Sequence, residues 1–70
     1  MDVIMYPELV GEMAKRNITQ RQVAAKLNIS VKSFYNRLTG RAEFTWPEVL
    51  QIHDVYFPDL DLKDLFRKRD

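Results

Sequence analysis

Apolar positions recur at helical spacing in several short stretches of the chain, and polar capping residues separate those stretches. Leu9, Val10, Met13 and Ala14 follow Pro7, a residue suited to a first helical position, and predict a helix over about 6–16. Gly11 inside that helix costs about 1 kcal/mol relative to alanine, which predicts that another stretch of backbone passes close to it. Thr19-Gln20-Arg21-Gln22 has the form of a capping box, in which hydroxyl and amide side chains satisfy orphan N–H groups reciprocally. It predicts a second helix with Val23, Ala24 and Leu27 inward, ending near Asn28, a residue that tolerates the left-handed conformation.

Ser30 is the next N-cap, and Phe34 and Leu38 anchor a third helix to about Thr39, where Gly40 supplies the left-handed residue after it. Thr45-Trp46-Pro47-Glu48 is a second capping box. It opens a helix whose Val49, Ile52, His53 and Tyr56 share a face, and Pro58 closes it. Asp61 is placed to cap a last short helix carrying Leu62, Leu65 and Phe66, followed by a polar tail over 67–70. No segment alternates in the manner of a hairpin, although Val3-Ile4-Met5 is compatible with an extended strand. The expected fold is all-α, a compact bundle of about five short helices in a single domain over 1–70.

Composition narrows the chemistry. The chain has 70 residues, 46% of them hydrophobic and 30% charged, the balance of a globular domain rather than a disordered tail. It has no cysteine, so disulfides and thiolate metal sites are excluded. The single histidine, His53, with scattered carboxylates argues against a tetrahedral zinc site, and no other cofactor signature is present. His53 reads as a packed imidazole and Trp46 as a core or rim aromatic beside Pro47. No nucleophile stands with a base, so no catalytic residues and no enzyme activity are expected. No apolar run reaches the roughly 20 residues of a membrane span. Met1 to Tyr6 lacks the basic start and apolar core of a signal peptide, so the expected location is the cytoplasm.

The net charge of +1 hides a segregation. From 13 to 42 there are seven basic residues (Lys15, Arg16, Arg21, Lys26, Lys32, Arg37 and Arg41) and no acid, while the flanks hold all ten acids and four bases. One positive face on a nearly neutral domain suits a polyanion. The same block contains two helices joined by a tight turn at Asn28-Ile29-Ser30, with Ala24 and Ala25 giving the second helix room to cross and Ile29 plugging the corner. A helix held outward in this way fits a major groove about 12 Å wide.

Thr19-Gln20, Val23-Ala24, Leu27-Asn28-Ile29-Ser30, Phe34 and Gly40 together resemble the helix-turn-helix of the phage repressor and Cro family, the XRE-like regulators. The later Gly40-Arg41, Phe44-Thr45, Glu48 and Ile52 resemble small phage-encoded members of the same group. The resemblance covers about 8–57 and is close over 19–41. It implies a lambda-repressor-like fold and a regulator that reads double-stranded operator DNA with the third helix. Many members carry an aromatic and then a glutamate where this chain has Arg37 and Leu38, so the acid-to-arginine pair often found beneath that position is expected to be absent, with Leu38 simply core.

On this reading Lys32 and Asn36, four residues apart, form the reading stripe, flanked by Ser33 and Tyr35, with Val31 at the first turn. Asparagine pairs with adenine, lysine with guanine acceptors, and valine with a thymine methyl. Val31 equally shares a side with Phe34 and Leu38 and is open to packing inward. Thr19, Gln20, Tyr35 and Arg41 are the expected phosphate contacts. Arg37 is either a further one or a snorkelling surface residue, and Lys15, Arg16, Arg21 and Lys26 are expected to add long-range attraction rather than direct contacts. The family generally binds as a dimer on two half-sites about 34 Å apart. The C-terminal apolar residues Tyr56, Phe57, Leu60, Leu62, Leu65 and Phe66 either form a homodimer surface or close the monomer core. A helical protein-interaction module or anti-repressor directing the basic face at an acidic protein is the rival, although such a use gives no reason to exclude acids from 13–42.

Overall fold

The protein is described by a computed structural model covering residues 3–70. It is an all-α bundle with helices α1 (Pro7–Lys15), α2 (Gln20–Leu27), α3 (Val31–Leu38), α4 (Trp46–Tyr56) and α5 (Leu62–Leu65). Each boundary has a local cause. Pro7 opens α1 at N1 without a side-chain cap, and Asn17 at φ 57° turns the chain away after it. Thr19 and Gln22 form the capping box of α2, with the Thr19 Oγ accepting the Gln22 amide at 3.1 Å and the Thr19 amide donating to the Gln22 side chain at 2.7 Å. Asn28 ends α2 in the left-handed conformation, φ 62°. Ser30 caps α3, Thr45 and Glu48 box α4, and Asp61 caps α5.

Two other expected features are placed differently. An alanine methyl at Gly11 would meet nothing within 4 Å, so no backbone approaches this position; its neighbour Ala14 is also exposed. Gly11→Ala therefore removes a mid-helix glycine without strain and is expected to stabilise the fold by about 0.5–1 kcal/mol, read from the denaturation midpoint. Val3-Ile4-Met5 pairs with no strand among the described residues. The Met5 amide instead donates to the Leu38 carbonyl at 2.7 Å and the Met5 carbonyl accepts from the Arg69 amide at 2.7 Å. The polar tail thus clasps the N-terminal segment behind the end of α3.

The core comprises Tyr6, Leu9, Met13, Val23, Ala24, Phe34, Leu38, Ile52, Phe57 and Leu65, with no buried polar residue among those described. Tyr6, Phe34, Phe44 and Phe66 meet edge to face, ring centroids 5.3–6.1 Å apart, the arrangement the ring quadrupoles favour. Of the two roles expected of the C-terminal apolar set, closing the monomer core is the one seen for all of it but Leu62, which is partly buried and lies outside the core cluster. Phe57 and Leu65 are 0% and 2% exposed, Phe66 closes the aromatic cluster, and Tyr56 and Leu60 pack against the core, with the Tyr56 hydroxyl facing the Gln22 carbonyl. A chain this short has few apolar residues to spare, and its own core takes most of the 56–66 set.

His53 ties α4 to the segment after it. Its Nε2 donates to the Leu60 carbonyl at 2.7 Å and its Nδ1 lies 3.0 Å from Asp54 Oδ1, so the imidazolium satisfies both acceptors where the neutral ring satisfies one. The bond to Asp54 and then that to Leu60 raise the His53 pKa above its ordinary value of 6.5. Because the folded state holds this proton more tightly, its contribution is fully present below pH 6.5 and is lost as pH rises through the elevated folded value. The thermal midpoint is expected to step down across that window, and the step to vanish in His53→Gln. A step of equal size in His53→Gln would show that another group titrates there.

Candidate nucleic-acid interface

α2 and α3 are joined by residues 28–30, with Ile29 packed into the corner and its amide bonded to the Ala24 carbonyl at 3.0 Å. The small side chain of Ala24, 1% exposed, lets the two helices close on each other. α3 is sharply two-faced. Phe34 and Leu38 are wholly buried, while Lys32 is exposed, Asn36 half-exposed and Val31 41% exposed. Val31 therefore faces solvent and does not pack inward.

The polar heads of Lys32 and Asn36 make no hydrogen bond or ion pair with any described residue, and one helical turn separates them on one stripe. The backbone beneath Asn36 is fully engaged: its carbonyl accepts the Arg41 amide at 2.9 Å, the Ala42 amide at 3.1 Å and the Thr39 hydroxyl at 3.2 Å. A fixed stem thus carries an uncommitted amide head. Ser33 is more occupied. Its Oγ accepts the Ser30 hydroxyl at 2.9 Å, which leaves its own O–H as a donor.

The expected phosphate contacts divide. Thr19 uses one oxygen lone pair in the α2 cap and keeps its O–H, Gln20 lies in the first turn of α2 without a side-chain bond, and Tyr35 is half-buried on the flank of α3. Arg41 is exposed beyond Gly40, whose φ of +84° and contact with Met5 suit only glycine. Neither α2 nor α3 has an acid in its first turn, whereas α1, α4 and α5 each do.

Arg37 is the exception and corrects two expectations. Its Nε donates to Glu48 Oε1 at 3.0 Å and a terminal nitrogen donates to the Ser33 carbonyl at 3.0 Å, so it does not snorkel, and two of its three nitrogens are already engaged within the protein. An acid-to-arginine pair does stand beside α3, made by Arg37 itself with the first turn of α4, while Leu38 is core. In the sequence Glu48 stood out as the N3 residue of a capping box and as one position of the phage-regulator resemblance, neither of which pointed to Arg37.

The basic block thins in the same way. Arg16 grips Asp59 with two bonds of 2.8 and 2.9 Å, donates to the Tyr56 carbonyl at 3.1 Å and lies over the Phe57 ring, and its pKa is raised chiefly by the bond to Asp59. Lys15 pairs with Glu12 at 3.3 Å. Arg21, Lys26 and Lys32, all on α2 or α3, make no ion pair with any described residue. A cleft of about 100 Å³ is lined by Glu8, Glu12, Leu60, Asp61, Asp64 and Leu65, with nothing from α2 or α3. That acidic cleft thus takes no residue from the two helices that carry Arg21, Lys26 and Lys32. Trp46 lies at the rim, 61% exposed.

Among the described residues, no group of three or more His, Asp or Glu converges to hold a metal ion, and no helix is long and apolar enough to cross a membrane. No family model matches the chain, and comparison with curated proteins and with solved structures finds no match.

Proposed function

We propose that the protein is a sequence-specific double-stranded DNA-binding transcription regulator of the phage repressor or Cro type, reading the major groove with α3. The observation that carries this reading is the stripe of Lys32 and Asn36 with Val31, open to solvent and without partners, on a helix whose opposite side is locked into the core. Phosphates are met by Thr19, Gln20, Tyr35 and Arg41, with Arg21 and Lys26 adding field, so the flanks set affinity and the stripe sets sequence. The protein acts in the bacterial cytoplasm, without cofactor or catalysis.

Two copies bind two half-sites. The molecule measures 31 × 28 × 23 Å, so copies in successive major grooves about 34 Å apart stand nearly edge to edge. Binding as a pair then needs only a small contact, which the burial of Phe57 and Leu65 leaves to residues outside the core.

Selection of bound duplexes from a random pool, followed by a gel-shift salt series on the selected duplex, tests the reading. The expected result is an enriched, symmetric sequence whose affinity falls steeply with salt. Absence of binding at low salt overturns it, as does capture of an acidic protein with no preference among duplexes.

A further inference from the structure

We infer that Glu48, acting through Arg37, is a positioning residue for base discrimination, a role that rests on the DNA-binding reading. α3 spans only eight residues. Phe34 and Leu38 set its depth, but apolar contacts are non-directional and leave rotation about the helix axis and sliding along it weakly held. Base readout demands placement within about 0.5 Å, which directional bonds must supply. The bonds at the end of α3 supply part: the Arg41 and Ala42 amides hold the Asn36 carbonyl, and the Met5 amide holds that of Leu38.

The other part is a single carboxylate oxygen. Glu48 Oε1 accepts the Thr45 amide at 2.9 Å, closing the cap of α4, and accepts Arg37 Nε at 3.0 Å. The same guanidinium donates to the Ser33 carbonyl, one turn back along α3. The first turn of α4 and both turns of α3 are thus joined through one group. The two side chains are 18% and 14% exposed, so solvent and salt screen the pair less than an open surface pair. The pair has a second consequence. It withholds from phosphate the one cation on α3 besides Lys32, and so keeps α3 from binding through sequence-blind attraction.

Two substitutions in the full chain separate these effects. Glu48→Gln keeps an N3 oxygen for the Thr45 amide, as Gln22 does for Thr19, and removes the charge that holds Arg37. Arg37→Gln breaks the pair from the other side and releases no cation. Each is measured against wild type on the pool-selected duplex and on a scrambled duplex of equal length, across a salt series, with circular dichroism confirming helix content.

For both variants the preference for the selected duplex is expected to fall about tenfold, the worth of one reading pair. Glu48→Gln also binds the scrambled duplex more tightly, its salt slope steeper by about one phosphate, while Arg37→Gln does not. Undiminished preference in either folded variant overturns the inference and leaves the DNA-binding reading standing. Failure of the wild type to prefer any duplex overturns both. Should a variant lose helix content, amide shifts of Lys32 and Asn36 in a Glu48→Asp chain, which retains the charge on a shorter arm, decide instead: displaced resonances support positioning, and unmoved ones overturn it.

Discussion

Replacing Lys32 and Asn36 together by alanine is expected to abolish sequence preference while leaving the fold intact. Neither head has a hydrogen-bond or ion-pair partner among the described residues, Lys32 is exposed and Asn36 half-exposed, and neither belongs to the core, so their removal costs no hydrogen bond within the protein. Alanine is the strongest helix former, and the stability change should stay within about 0.5 kcal/mol. On DNA the loss is of another order. Each reading pair contributes about 1–3 kcal/mol of discrimination, so affinity for a selected duplex should drop by about a hundredfold or more. The scrambled duplex should weaken only by what the Lys32 charge adds to the general field. Titration of both duplexes at two salt concentrations measures the ratio, and Lys63→Ala, a charge loss on α5 far along the chain, serves as the control. A ratio equal to wild type would remove α3 from the recognition surface.

The features legible in the sequence are those whose causes are local. Thr19, Ser30, Thr45 and Asp61 each cap the helix that starts one residue later, because the hydroxyl or carboxylate and the amide it satisfies lie three residues apart. The inward positions of α3 follow from its period, and so does the outward stripe opposite them. Long-range charge pairing was not legible. Arg16 meets Asp59 across 43 residues and Arg37 meets Glu48 across 11, so a block of seven bases overstates the cations open to a polyanion. The set at 56–66 was ambiguous for a different reason. Apolar composition alone does not tell which of Tyr56 and Phe57 faces the core; the chain leaves the helical conformation at Phe57, φ -136° and ψ 48°, and that residue is fully covered while Tyr56 is half-buried. Gly11 carried a rule that holds only where a neighbour is near, and none is.

Phe34→Ala is expected to unfold much of the population at 37 °C. The ring is completely buried, packs edge to face on Phe44 at 5.9 Å, and belongs to the helix that must be held outward. Truncating a buried phenylalanine costs about 3–5 kcal/mol, since the transfer energy is lost and a cavity remains. Domains of this size hold about 0.05–0.15 kcal/mol per residue, so the loss is comparable with the whole stability. The thermal midpoint should fall by roughly 15–30 °C, at about 4–8 °C per kcal/mol. DNA affinity then falls with folding rather than with contact, and this distinguishes the variant from the Lys32 and Asn36 pair. Cooling, or a saturating duplex that binds only the folded state, should restore helix content and sequence preference together, because the reading side chains are untouched. Phe34→Leu, which keeps most of the volume, should lose far less. A midpoint for Phe34→Ala within a few degrees of wild type would mean that this ring does not anchor α3 to the core.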